Sequence, residues 1–441
     1  MSKAYRTSGA RASRVFTQIF DQKDATALGG LNHLARFLKQ LGIDRKLTDR
    51  FRQTKAEWSD WRFDRVLRVI LDAFFAGIDR LYHFQDLETE PLLCAQHGVE
   101  RLPDLKTLYR DLRRFKDPAL LGSLHDLSKE VVVDALKDQD RVVLEIDSTV
   151  ETLYGRQEGA EIGPNPHKPG RPSYHPLLAR DRISDLIIHH KLRPGDSGSA
   201  TDIVRFLHET VDVVKSDGKK REILARLDSG FECEDAMRVL ERRGVGYVIK
   251  VRGTWSITSV VTELAPQSWR RVEWEGEGEI QVASFQHRRG PWSQPRRIVV
   301  LRKRGMDLIQ GHLFDPYGWS YSFFVTDRDW KADEVARFYD KRADVERTIC
   351  EVKNDLAIDH VPTSCFDANA ADLALKILAR NLLVLYRDHG LKLKTRFRVM
   401  TLRRRYLFIA GRIVRRAGRV ILRLVEDSPL HRILAPAPTR A

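Results

Sequence analysis

The chain has 441 residues, 42% of them hydrophobic and 31% charged, with a net charge of +15. That is enough for two or three domains around a sizeable core, and no apolar run is long enough to cross a bilayer. Four scattered cysteines (Cys94, Cys233, Cys350, Cys365) form no C-x-x-C pair, and the N-terminus carries no signal peptide, so a reduced cytoplasmic, nucleoid-associated protein is expected, without zinc knuckle or disulfide framework.

Residues 28–135 read as helices. LGGLNHLARFLKQLG and FDRVLRVILDAFFAGIDRLYHF place apolar residues at three- and four-residue spacing. LPDLKTLYRDLRRF follows, with Thr107, Arg110, Arg113 and Arg114 near one another; it fits a recognition helix in a DNA groove, or an ordinary packing helix with a basic side. At Arg141 the pattern changes. RVVLEIDST, SYHPLLARD and SDLIIHHKLRPG read as three strands, TDIVRFLHETVDVVKSDG as a helix, REILARLDSGF as a fourth strand, ECEDAMRVLERRG as a helix and VGYVIKV as a fifth strand. The order over 139–250 is βββαβαβ, an α/β pattern.

From 251 to 330 come short strand-like pieces rich in tryptophan. The stretch YDKRADVERTICEVKND predicts one helix over 339–355. At about 100° per residue, Arg342, Glu346 and Lys353 fall within roughly 60° of Tyr339, beside an apolar arc of Val345, Ile349, Val352 and Leu356. A solvated salt-bridge face explains such a stripe as well as a functional one does. The tail, 391–441, holds fourteen Lys/Arg against two acids, +12 of the total charge. TLRRRYLFIAGRIVRRAGRVILRLV reads as amphipathic helix with basic faces, suited to a polyanion. An anionic membrane surface is the competing partner, with nothing else in the chain to support it.

Asp147 ends one apolar strand and Asp228 another. Either alone reads as a turn or cap residue. In a three-strand meander followed by βα units, however, the first and fourth strands are neighbours, so both carboxylates emerge at one edge. A helix arriving after the fifth strand can lay Glu346 beside them. Three converging carboxylates repel one another, and divalent cations relieve the repulsion; hard oxygen ligands suit magnesium or manganese, and a two-ion site suits phosphoryl transfer.

The spacing Y-x2-R-x3-E-x6-K, filled by Tyr339, Arg342, Glu346 and Lys353, resembles the signature of the bacterial insertion-sequence DDE transposases. The phrases IDST, YGRQEGA, SYHPLLA and RLDSGF resemble the IS-thirteen-eighty type, and the resemblance runs from about 30 to 390. It implies a ribonuclease H-like core, with Asp147, Asp228 and Glu346 holding two Mg2+ (or Mn2+) ions and with 251–330 as a β-rich insertion before the last catalytic helix. It also implies that Tyr339, Arg342 and Lys353 hold DNA phosphates. The whole then divides into a helical DNA-binding region (1–138), a catalytic domain in two parts (139–250 and 331–390), the insertion, and a basic helical tail for DNA contact or dimerisation.

The expected activity is cut-and-paste transposition of double-stranded DNA, by a homodimer acting on terminal inverted repeats and target. A structure-specific endonuclease on the same fold and a non-catalytic, transposase-derived DNA-binding protein are the rivals. Other residues have competing readings. Asp327, after the apolar run SYSFFVT, competes with Glu346 for the third carboxylate. Trp319 and Trp292 fit either stacking on an unpaired base or a core position. His189 and His190, neighbours in a strand, point to opposite faces and are not expected to share a metal. Asn165, His167 and Lys168 lie in a Gly/Pro-rich loop that either touches DNA or is ordinary surface.

Overall fold

The computed structural model describes residues 21–166, 168–274, 278–304, 318–341 and 343–434. A two-residue strand, β1 (Ala25–Thr26), precedes six helices: α1 (Leu31–Gln40), α2 (Ile43–Phe51), α3 (Phe63–Phe75), α4 (Pro91–His97), α5 (Leu105–Leu112) and α6 (Pro118–Ala135). Local chemistry sets their starts. Glu90, Asp104 and Asp117 each accept a backbone N–H from the first turn of α4, α5 and α6, satisfying donors that a helix start leaves unpaired. The α3 helix is apolar on almost every side and buries Phe63, Leu67, Ile70 and Phe74 completely or nearly so, which makes it the centre of the helical region.

The strands are β2 (Arg141–Ser148), β3 (Glu151–Thr152), β4 (Glu161–Ile162), β5 (Pro172–Tyr174), β6 (Leu177–Asp181), β7 (Ile187–Lys191), β8 (Glu222–Leu227), β9 (Gly246–Val251), β10 (Arg270–Val272), β11 (Glu279–His287), β12 (Arg296–Arg304) and β13 (Ser320–Thr326). One nine-stranded sheet has the order β10-β11-β12-β13-β9-β8-β2-β6-β7. β2, β8 and β9 run parallel, and β6 and β7 antiparallel. The first and fourth strands of the βββαβαβ unit are therefore neighbours, as the sequence order requires. The 251–330 segment is β-rich as expected, and it extends this same sheet: β13 pairs with β9, and β12, β11 and β10 follow outward.

β2 reads as a nearly continuous apolar run because both faces of the sheet are covered. Val142, Leu144 and Ile146 face α6, α7 (Ile203–Lys215) and α8 (Glu234–Arg242) within the main core. The opposite face is covered by α10 (Ala332–Asp340), α11 (Ala343–Leu356) and α12 (Phe366–Leu385), while α9 (Trp255–Glu263) follows β9. α12 is buried on nearly every side. Its Asn381 amide both accepts from the Ile187 N–H (2.9 Å) and donates to the Ile187 carbonyl (2.8 Å), pairing with the outer edge of β7.

Two expectations are corrected. The stretch 339–355 is two helices, with Tyr339 closing α10 and Glu346 in the early turns of α11. Val335, Ala336 and Tyr339 pack against β9, β12 and β13, whereas Val352 and Leu356 pack with Leu178 and Ile187 of β6 and β7. One straight rod cannot cover both patches, so the chain changes direction between them. The basic tail is not mainly helical either. Residues Gly411–Arg416 and Arg419–Leu424 form a hairpin, β14–β15, whose first strand pairs with β1. Ala417 and Gly418 both have positive φ (50° and 73°), as in a two-residue turn that suits the twist of a hairpin. The β-branched Ile413, Val414, Val420 and Ile421 then favour strand over helix.

Candidate active site

Hydrogen-bonded pairing between β2 and β8 ends at Ile146 opposite Leu227. Asp147 and Asp228 are the next residues on each strand, so they stand at adjacent parallel strand tips, about 5 Å apart along the backbone. Alternation puts both carboxyls on the α10–α11 side, the side of Glu145 and Arg226 two residues earlier. The Ser148 N–H donates to Asp147 Oδ1 (2.9 Å), and the Tyr339 hydroxyl lies 3.4 Å from Asp228 Oδ1. Tyr339 is held there by its ring, tilted on Phe324 at 4.8 Å between centroids.

Asp228, Tyr339 and Glu346 line one cavity of about 440 Å3, together with Lys250, Lys303 and Ser322 from the extended sheet. Glu346 is exposed toward solvent. Lys353, two turns further on, donates to the Val150 carbonyl (3.1 Å) and so ties α11 to the chain just after Asp147. Among the described residues no three His, Cys, Asp or Glu side chains stand close enough to hold one metal ion as they are placed. The donor chemistry nevertheless fits a hard divalent cation: the carboxylates of Asp228, Asp340 and Glu346 line one cavity, and Asp147 stands on the neighbouring strand tip. Arg342 lies outside the described residues.

A layer of buried charge lies directly beneath the strand tips. Glu145 is fully buried between Arg180 of β6 (2.6 Å) and Arg226 of β8. Arg226 also donates to the Phe338 carbonyl of α10 (2.5 Å), one residue from Tyr339. Arg180 continues to Asp185 (2.8 Å), which also meets Arg380 and Arg387 (3.0 Å each). Arg380 reaches Glu351 of α11 (3.0 Å), whose other oxygen accepts from the Val399 N–H (2.7 Å). Burial alone would raise the Asp185 carboxyl, but the guanidiniums of Arg380, Arg180 and Arg387 hold it well below the usual carboxylate range. This chain of ion pairs fixes β2, β8, α10 and α11 relative to one another. The sequence carried a signal for its first members: Glu145 and Arg226 interrupt apolar strands, each two residues before an aspartate.

Glu151 is nearly completely buried four residues past Asp147, and its Oε1 has no hydrogen-bond partner. Burial pushes its carboxyl up to about 8, against the pull of Lys376 and Lys353. Lys250 is the other residue that the sequence did not single out. It lines the cavity of Asp228 and Glu346, and its side chain makes no hydrogen bond or ion pair among the described residues.

The remaining sequence candidates are dispersed. Asp327 accepts from the Tyr247 N–H (2.8 Å) and pairs with Arg328, at the start of β9 and hence the opposite edge of the sheet from Asp228. There it caps a strand end, away from Asp228. Trp319 is largely buried, with the Arg302 guanidinium 4.5 Å from its ring; the same guanidinium sits 3.8 Å from Trp269. Trp292 is fully buried and donates to Glu232 (3.2 Å). On α5 and the turn after it, Arg110 is exposed beside Thr107 (3.2 Å), Arg113 lines a surface cavity with Lys106 and Tyr109, and Arg114 pairs with buried Asp111 (3.0 Å). His189 faces Glu209 (3.2 Å) and His190 the His125 ring. Asn165 braces its loop through Thr152 and the Lys168 N–H (3.0 Å each); His167 lies outside the described residues.

A family model described as transposase DDE domain, group 1, matches residues 10–440. No curated protein matches the chain. Among solved structures the chain is similar to a piggyBac transposase synaptic complex with hairpin DNA, at 12% identity and a TM-score of 0.45, covering 85% of this chain and 78% of that one. It is similar to a Mos1 transposase paired-end complex with left transposon end at 11% identity and a TM-score of 0.18, covering 42% of this chain and 77% of that one. Likenesses this remote carry no argument; the family match spans nearly the whole chain.

Proposed function

The chain belongs to the transposases of DDE domain group 1, and from that premise we propose that it performs cut-and-paste transposition on a ribonuclease H-like core, as an insertion-sequence enzyme of the IS-thirteen-eighty type. The observation that carries the reading is the placement of Asp147 and Asp228 at adjacent parallel strand tips, with Glu346 in the cavity of Asp228. These three carboxylates would hold two magnesium ions, with manganese as a substitute. When bound, such ions lower the pKa of a water or hydroxyl nucleophile and stabilise the leaving oxygen of a phosphodiester.

The chain's own residues do the rest. The Tyr339 hydroxyl, within reach of Asp228 Oδ1, orients that carboxylate toward the cavity. Lys250, without a partner of its own, offers an ammonium to a DNA phosphate, which it meets as a point charge. Lys353 has one donor committed to Val150 and two left for phosphate. Arg342 would add a bidentate grip. A strand positioned this way is first hydrolysed to give a 3′-hydroxyl, which then attacks a second phosphodiester and finally target DNA. The N-terminal helices, with Arg110 and Arg113 exposed, would recognise terminal inverted repeats, and a homodimer would pair two ends.

The test is to incubate purified protein and Mg2+ with DNA carrying the short inverted repeats that flank its coding sequence. Nicking at the repeat boundary followed by joining to target is the expected result. Cleavage at branched DNA regardless of repeats would favour the endonuclease instead. Repeat-specific binding with no cleavage would favour a non-catalytic DNA-binding relative.

A further inference from the structure

We propose that the β14–β15 hairpin is a DNA-gripping ribbon whose outer arginine face straddles a duplex groove. The proposal rests on the reading of this chain as a DNA-acting protein and adds to it a surface and a mode of contact.

Cross-strand register defines the two faces. Arg412 opposes Arg423, Val414 opposes Ile421 and Arg416 opposes Arg419 on one face, while Ile413 opposes Leu422 on the other. Ile413 is buried and Leu422 packs on the main core, so the first face is the outward one. It is two arginine pairs flanking an apolar pair. Like charges directly opposite one another destabilise a strand pair, and here the arrangement occurs twice. All four arginines are exposed, none of their side chains makes a hydrogen bond or ion pair among the described residues, and residues 411–424 contain no acid. The fold supplies nothing to neutralise this face, and a polyanion would.

Geometry selects duplex DNA among polyanions. Four residues of antiparallel strand separate the two arginine pairs, about 14 Å at 3.4 Å per residue. The major groove of B-DNA is about 12 Å wide, is flanked by phosphates on both sides and admits a two-stranded ribbon. The arginine pairs can thus reach opposite phosphate walls, with Val414 and Ile421 toward the groove floor. β15 is an edge strand with no strand paired on its outer side, and its Val420, Ile421 and Leu422 border a crevice shared with Asn32, Arg36 and Leu92.

The test measures binding of the full chain to repeat-containing duplex across a salt series, without divalent metal, so that cleavage plays no part. Four phosphate contacts correspond to a change of about 3.6 in the slope of log affinity against log salt, or roughly 100-fold in affinity change between 50 and 200 mM. Replacing Arg412, Arg416, Arg419 and Arg423 by Gln together should flatten the slope by about that amount. The four-Lys variant should keep it, and Arg415→Gln, on the inner face, should alter it little. Circular dichroism should be unchanged and the melting temperature should hold or rise, since the replaced groups are solvated and their mutual repulsion is removed. An unchanged slope in the well-folded four-Gln variant overturns the proposal. So does an unchanged slope with lost self-association in the absence of DNA, which would make the ribbon a contact between copies. A slope that falls as expected in a protein that never cuts repeat ends would leave the ribbon standing and sink the transposase reading instead.

Discussion

Replacing Glu145 by Gln probes the buried layer on which the candidate site rests. The substitution keeps the shape and removes one negative charge from between two guanidiniums. Glu145 is completely buried, and the side chains of Arg180 and Arg226 are 5% and 1% exposed. Arg180 keeps Asp185 and Arg226 keeps the Phe338 carbonyl, but both guanidiniums lose the charge of Glu145 in a place water does not reach. Breaking a buried ion pair from one side costs about 3–5 kcal/mol, against about 0–1 kcal/mol for a surface pair. Urea unfolding followed by tryptophan fluorescence should therefore show a loss of about 3–5 kcal/mol. Adding Arg226→Met, which removes one of the two guanidiniums that face Glu145, should restore at least about 2 kcal/mol of it, a coupling that a double-mutant cycle reads directly. Because Glu145 and Arg226 hold the strands that end in Asp147 and Asp228, end nicking should also fall at temperatures where the single variant is still folded. A loss below about 1 kcal/mol, or no coupling with Arg226, would refute the idea that this layer positions the strand tips.

Other outcomes follow from single residues. Lys250→Met should slow nicking by about 10- to 100-fold, the equivalent of one charged hydrogen bond, with Lys250→Arg largely active; normal single-turnover nicking by the Met variant would remove Lys250 from the site. For Glu151, the folded-state pKa is raised to about 8, so the folded protein keeps a proton that the unfolded chain releases near pH 4.5. Stability is thus complete below about pH 4.5 and declines as pH rises toward 8. Glu151→Gln should abolish that decline and gain on the wild type by about 3–4 kcal/mol between pH 5 and pH 8; a melting-temperature difference that is the same at both pH values would contradict it.

The strand tips were legible because β2 and β8 are apolar runs that end in aspartate, and the order βββαβαβ makes them neighbours. The N-terminal helices were legible from their three- and four-residue spacing. The β14–β15 hairpin was not: its Arg/Ile/Val mixture satisfies both helical and strand periods, and its turn uses Ala417–Gly418 instead of a stronger signal such as Asn-Gly. The division between α10 and α11 has no Pro or Gly to mark it, and its cause lies in two separate packing patches. The ionic layer joins residues 35, 81 and 195 positions apart. Isolated charges in apolar strands announced a partner without naming it.

The central claim is that Asp147, Asp228 and Glu346 act as one catalytic set. It is tested most directly by single-turnover nicking of repeat-end DNA in Mg2+, with Asp147→Ala, Asp228→Ala and Glu346→Ala measured side by side and DNA affinity recorded for each. The account predicts that every variant binds the ends nearly as well as the wild type and that none nicks them in either Mg2+ or Mn2+. Full nicking by any one of the three would contradict it.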